Sequence, residues 1–132
     1  EKAYLVDVAF QSDRESTLTT ENLGYRMENI VYIELLRRYK KENVDVFYYK
    51  DGYEIDFVVM DKTKILELIQ VTYKMDTAKT RNRELGGLAK GYAGFKCDKL
   101  TLISLNERGE EEYGGAKIKK VTVVDWLLGN VL

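Results

Sequence analysis

The chain reads as an α/β domain, a mixed β-sheet with helices on both of its faces. Three features predict this. Residues 22–41 and 77–95 carry apolar side chains at helical spacing. Residues 44–50, 53–60 and 65–73 are strand-length apolar runs separated by tight turns. Residues 99–105 (KLTLISL) then form a nearly continuous apolar run, the pattern of a strand buried on both sides.

The first element in chain order is a short strand over 4–10 (YLVDVAF), interrupted by Asp7. Residues 11–21 are polar and loop-like. In the helix over 22–41, Met27, Ile30, Val31 and Leu35 mark the apolar face, while Ile33 and Leu36 widen it. Thr20 or Asn22 can cap its start. Asp51-Gly52 is a hairpin turn between 44–50 and the returning strand 53–60. A second turn over 61–64 leads to 65–73, which completes an antiparallel meander.

Asp76 or Thr77 opens the second helix, which reaches Phe95. Gly86, Gly87, Gly91 and Gly94 each lower its intrinsic stability by up to ~1 kcal/mol, so close packing is their expected use. After the 99–105 strand, residues 106–115 read as an acidic loop, 116–124 as a strand, and 125–132 (DWLLGNVL) as a short terminal helix or turn. Trp126, Leu127 and Leu128 are expected to close the core, since an exposed Trp-Leu-Leu end would be an apolar patch. The order is β-α-β-β-β-α-β-β-α. Helix, three-strand meander, helix, strand is the core order of the restriction-endonuclease-like fold.

Composition narrows the function. The 132 residues suit a single domain with one core. Hydrophobic residues at 45% and charged residues at 33% place the chain among globular proteins. No apolar run approaches the ~20 residues of a membrane span and no signal-peptide pattern occurs, so a cytoplasmic protein with no membrane attachment is expected. The single Cys97 excludes an internal disulfide. Histidine is absent, which removes the commonest zinc ligand and the commonest general base. Any metal site is therefore oxygen-rich and suits Mg²⁺ or Mn²⁺. The net charge of −1 provides no global attraction for nucleic acid. No P-loop pattern occurs. The chain starts at Glu1 and alternates like a strand almost at once, as expected of a piece cut from a longer protein.

The chemistry concentrates between Gly52 and Lys74. Glu54 and Asp56 lie in one apolar strand, Gln70 and Thr72 in another. Burying such groups without partners costs roughly 2–7 kcal/mol, so they need a reason. Alternation places Glu54, Asp56 and Val58 on one face and Gln70, Thr72 and Lys74 on one face of the next strand. An acidic residue followed by a polar-x-polar strand is the skeleton of a nuclease metal site. Asp56, the Gln70 amide oxygen and Glu28 from the first helix could hold Mg²⁺, which would acidify a bound water. The alternative, favoured by residue type alone, is that Asp56 and Gln70 only hydrogen-bond to each other or to turn backbone.

A wider set of motifs carries a resemblance. It comprises Tyr4-Leu5-Val6-Asp7, 24–38 (GYRMENIVYIELLRR), 46–50 (VFYYK), 54–58 (EIDFV) and 69–73 (IQVTY). Thr80 with Arg83-Glu84, and 125–128 (DWLL), complete it. Together they resemble the carboxy-terminal domain, of unassigned function, that follows an AAA-type ATPase domain in many bacterial and archaeal proteins. The resemblance covers nearly the whole chain and implies a PD-(D/E)XK nuclease-like fold. By position, Asp56 matches the motif aspartate and Glu28 the helix-one glutamate. Gln70 stands in place of the motif glutamate, and Thr72 in place of its lysine. The implied catalytic set is thus Asp56, Gln70, Thr72 and Lys74, and the implied metal set Glu28, Asp56 and Gln70. Gln70 removes a negative charge from the metal site. Thr72 removes the cation that offsets charge on a phosphate. Lys74, roughly 6.5 Å further along the strand, is a candidate for a migrated lysine.

Other features have plainer readings. Glu34 and Arg38 form an i,i+4 pair worth ~0.2–0.5 kcal/mol. Lys79, Arg81 and Arg83 open the second helix, where the dipole disfavours cations; they are either a phosphate-binding edge or a solvated face. Glu107 and Glu110, Glu111 and Glu112 read as solvated. The expectation is a nuclease-like, catalytically degenerate accessory domain, joined to an AAA-type ATPase domain in the same chain. It would bind DNA or a protein partner and need no cofactor of its own. The rivals are an active Mg²⁺-dependent nuclease and a module for homo-oligomerisation or regulation.

Overall fold

The computed structural model describes residues 20–40 and 43–129. Its elements are α1 (Thr20–Arg38), β1 (Val44–Lys50), β2 (Glu54–Asp61), β3 (Lys64–Val71), α2 (Ala78–Phe95), β4 (Leu100–Ser104), β5 (Gly109–Tyr113), β6 (Ala116–Thr122) and α3 (Val123–Leu128). The strand expected over 4–10 lies outside the described residues. One mixed sheet orders its strands β1-β2-β3-β4-β6-β5. β1, β2 and β3 form the antiparallel meander, β4 runs parallel to β3 and β6, and β5 is antiparallel to β6.

Strand alternation divides the core in two. Ile69, Ile103 and Val121 face α1, where they meet Met27, Val31 and Leu35. Leu68, Leu102 and Ile118 face α2, where they meet Leu85 and Leu88. The two long helices therefore cover opposite faces. The buried stripe of α1 is narrower than its sequence suggests, because Ile30, Ile33 and Leu36 are exposed. Three of the four α2 glycines are used as expected. A Cβ at Gly87, Gly91 or Gly94 would meet another atom at 2.8 Å or less, whereas at Gly86 the nearest atom is 3.9 Å away.

α1 stops at Arg38, where its end is tied to α3. The Arg38 guanidinium lies 4.1 Å over the Trp126 ring and donates to the Trp126 carbonyl at 2.6 Å. Glu34 accepts from Arg38 at 2.8 Å and also from Arg37, and the Arg37 hydrogen bond above all draws its carboxyl down to about 2.

Four local expectations are corrected. Residues 106–115 are not simply a loop, since 109–113 form the edge strand β5. Three successive glutamates have poor strand propensity. The turn compensates: Gly114 and Gly115, at φ +57° and +82°, form the two-residue hairpin that joins Tyr113 to its partner Ala116. Glu110 and Glu112 oppose Lys119 and Lys117 across the strands. Nor is the acidic segment merely solvated, because Glu111 and Glu107 both pair with Arg81 and with Lys120. The last strand ends at Thr122, earlier than expected. The Thr122 hydroxyl accepts the Asp125 N–H at 3.1 Å and so caps α3. Finally, Trp126 is 3% exposed as expected, but Leu127 and Leu128 are 38% and 68% exposed. A one-sided helix can bury only part of a Trp-Leu-Leu run.

Trp126→Ala should therefore cost about 3–5 kcal/mol in denaturant unfolding. Leu128→Ala should stay within about 0.5 kcal/mol. Equal effects would mean that Trp126 does not anchor α3.

Candidate functional site

The site begins with an irregularity in β2. Pairing with β1 stays in step from Val44↔Asp61 to Phe47↔Val58 and resumes at Tyr49↔Ile55. Asp56 and Phe57 therefore oppose Tyr48 alone, as in a β-bulge. The bulge reverses the alternation. Ile55 and Val58 both pack on the α2 side, and Phe57 and Val59 on the α1 side. The expected shared face of Glu54, Asp56 and Val58 is thus broken at Asp56.

The β2–β3 ladder also ends here, at Phe57↔Ile69. Beyond it, side chains take over from backbone. The Val71 N–H donates to Asp56 Oδ2 at 2.8 Å, and the Asp56 N–H donates to Gln70 Oε1 at 2.8 Å. Gln70 Nε2 donates to the Glu54 carbonyl at 2.9 Å and to the Glu84 carbonyl at 3.3 Å. Every polar atom of the 2%-exposed Gln70 is engaged. Its amide is what the position requires, because a glutamate would set a carboxylate oxygen against two carbonyls.

Glu28 from α1, Glu54 and Asp56 from β2, Gln70 from β3, and Arg83 and Glu84 from α2 line one cavity of about 270 Å³. It thus joins three residues expected to bind metal with three that were not assigned to the metal site. The Tyr48 hydroxyl donates to Glu54. Burial raises the Tyr48 pKa, and the Glu54 hydrogen bond and the charges of Glu54, Asp56 and Glu28 raise it further. Burial also raises the Glu84 carboxyl; Arg83, 3.2 Å away, opposes this, while Glu28 and Glu54 reinforce it. Four carboxylates share this cavity, yet among the described residues no three His, Cys, Asp or Glu are grouped to hold a metal ion.

The remaining candidates lie around it. Thr72 is buried, and its hydroxyl donates to the Lys74 carbonyl at 3.3 Å. Lys74 lines an adjoining cavity of about 660 Å³ with Glu28, Thr72, Arg83 and Glu84, but does not line the one holding Asp56 and Gln70. Its ammonium lies 5.6 Å from the centre of the Tyr73 ring. Of the three cations opening α2, Lys79 is exposed, Arg81 is paired with Glu107 and Glu111, and Arg83 reaches the acidic cavity. In the sequence Glu84 stands out only as part of the Arg83-Glu84 motif, with no role in the site, although a further signal was present. It precedes Leu85 and stands four before Leu88, so it occupies the first position of the buried α2 stripe.

Two outcomes follow for α2. A Cβ at Gly87 would sit 2.6 Å from the Glu54 carbonyl oxygen and 2.7 Å from Gln70 Nε2. Gly87→Ala should thus destabilise by about 1–3 kcal/mol. Gly86→Ala, one residue earlier, should stabilise by up to ~1 kcal/mol through helix propensity. The second outcome concerns pH. A carboxyl whose folded pKa lies above its unfolded value costs stability as pH rises through that window. Glu84→Gln should therefore raise stability at pH 7, with the gain shrinking as pH falls through the unfolded carboxylate range. Urea titrations of both forms across pH check this, and a pH-independent difference would refute it.

No solved structure matches the chain. It is 34% identical over 114 residues to the uncharacterized protein MJ1544 of Methanocaldococcus jannaschii, a match that takes in 84% of this chain and 24% of the relative. The chain thus spans about a quarter of the length of that curated relative. A family model described as a domain of unknown function, DUF4143, matches residues 23–124. The chain belongs to the DUF4143 family.

Proposed function

We propose that the chain is a nuclease-like, catalytically degenerate accessory domain of a longer AAA-type ATPase, acting by binding DNA or a protein partner. The helix, antiparallel meander, helix and parallel fourth strand support descent from a PD-(D/E)XK, restriction-endonuclease-like fold. A relative about four times longer than the matched region fits a domain that works inside a larger protein.

The observation that carries the reading is the engagement of Asp56 and Gln70 with backbone. Asp56 Oδ2 holds the Val71 N–H, and Gln70 has no unused polar atom. Two of the three residues that would bind Mg²⁺ thus hold strands together. Thr72 supplies no cation, and Lys74 lies outside the Asp56 cavity. One observation favours a second reading, an active Mg²⁺-dependent nuclease. Glu28, Glu54, Asp56 and Glu84 share a cavity with Arg83, which could take the place of the missing lysine.

Plasmid and single-stranded DNA incubated with the chain and Mg²⁺ or Mn²⁺ should remain intact. Asp56→Asn keeps an acceptor for Val71, so it should cost less than about 1 kcal/mol, whereas Asp56→Ala should cost about 1–3 kcal/mol. Metal-dependent cleavage abolished by the well-folded Asp56→Asn variant would overturn the degenerate reading in favour of the second. A further loss in Arg83→Ala or Lys74→Ala would identify the cation.

A further inference from the structure

The outer side of α2 carries a feature that the acidic cavity does not explain. A groove of about 830 Å³ runs along it, walled by the β1–β2 turn on one side and the β5–β6 turn on the other. Gly86, Ala89 and Ala93 form its floor. Lys50, Arg83 and Lys90 converge on it, and Glu54 is its one carboxylate among the described residues. The Tyr48 hydroxyl already engages Glu54. Lys50 and Lys90 are exposed, and the Arg83 side chain stays 59% exposed despite its contact with Glu84. α2 itself has four cations and a single acidic residue, Glu84, which is buried. The groove is therefore a net cationic trough over a floor without bulky side chains.

Each wall carries one half-buried tyrosine, packed on its inner side against the core beneath α2. The Tyr53 hydroxyl lies beside Gly94, and the Tyr113 ring beside Gly86. Eight helical residues separate those glycines, a span of about 12 Å at 1.5 Å per residue. That is room for roughly three stacked nucleotides at ~3.4 Å each. Cations beside aromatic rings suit a polymer that is anionic along its backbone and has flat apolar faces to its side. An acidic peptide would use the cations but not the rings. Duplex DNA would present bases already stacked on one another.

We propose that this groove binds single-stranded nucleic acid, with phosphates on Lys50, Arg83 and Lys90 and unpaired bases against Tyr53 and Tyr113. This rests on reading the domain as a binding module. The groove meets the Asp56 cavity at Glu54 and Arg83, but Glu28, Asp56 and Glu84, which would repel phosphate, do not line it.

Fluorescence anisotropy of a labelled oligothymidine with the 132-residue chain tests this. Binding should weaken with salt at a logarithmic slope of about −2, as three phosphate contacts on a single strand imply. Lys50→Glu with Lys90→Glu should lower affinity at least about tenfold at low salt. The same reversals at Lys62, in the β2–β3 turn, and at Lys64, which opens β3, should change it little. Tyr113→Phe should retain binding and Tyr113→Leu should weaken it, with melting curves confirming that both fold. Absence of binding at low salt would overturn the proposal, as would equal affinity for a duplex or equal competition by polyglutamate. Binding that ignores Lys50 and Lys90 but responds to Asp56→Asn would place the strand in the acidic cavity. That result overturns the groove while leaving the nuclease-like reading intact, which stands or falls on the separate cleavage assay.

Discussion

The candidate site depends on one exchange of hydrogen bonds between β2 and β3. Where the backbone ladder stops, Asp56 takes the N–H of Val71 and Gln70 takes the N–H of Asp56. Without these bonds β2 and β3 would part beyond Phe57↔Ile69 with the Asp56 and Val71 amides unpaired, at a cost of about 1–3 kcal/mol each. The exchange also sets the position of α2. Gln70 reaches past β2 to the Glu84 carbonyl, and Gly87 admits that approach by having no side chain. Strand pairing, helix packing and cavity shape are thus one arrangement. A change to any member is felt by the other two.

This dual use of polar groups shows how side chains with the chemistry of metal ligands can also hold two strands together. The same carboxylate oxygen that could ligate a cation is a strong acceptor for a buried amide. Which role prevails depends on what surrounds it. Here the neighbouring carboxylates Glu28, Glu54 and Glu84 concentrate negative charge, while Arg83 and the Tyr48 hydroxyl temper it. Burial above all, with added repulsion from Glu28 and Glu54, raises the pKa of the Glu84 carboxyl.

Much of the architecture was legible because it follows from periodicity. Both long helices, the meander and the buried β4 strand come directly from apolar spacing in 22–41, 44–73, 77–95 and 99–105. β5 was not legible, since GEEEY contradicts strand propensity and is held by a Gly-Gly turn and by lysines elsewhere in the chain. The gathering of Glu28, Asp56 and Gln70 around one cavity was readable from position along the elements. The β2 bulge was not, because nothing in EIDFV marks an extra residue in the register. It redirects Asp56, and so it separates a ligand set drawn from alternation from the hydrogen-bonded pair that the fold contains.

Gln70 has a consequence for how this lineage could change. If an ancestor carried a carboxylate at position 70, the return to glutamate is no longer a single harmless step. The acid would face the carbonyls of Glu54 and Glu84, which now expect a donor. The strand end would have to rearrange before any catalytic benefit appeared, and Gly87 leaves the helix pressed against that same place. Intermediates on such a path would be less stable than either endpoint and would be removed by selection. On such an ancestry the amide would act as an evolutionary ratchet, favouring new uses of the surface over a return to the carboxylate.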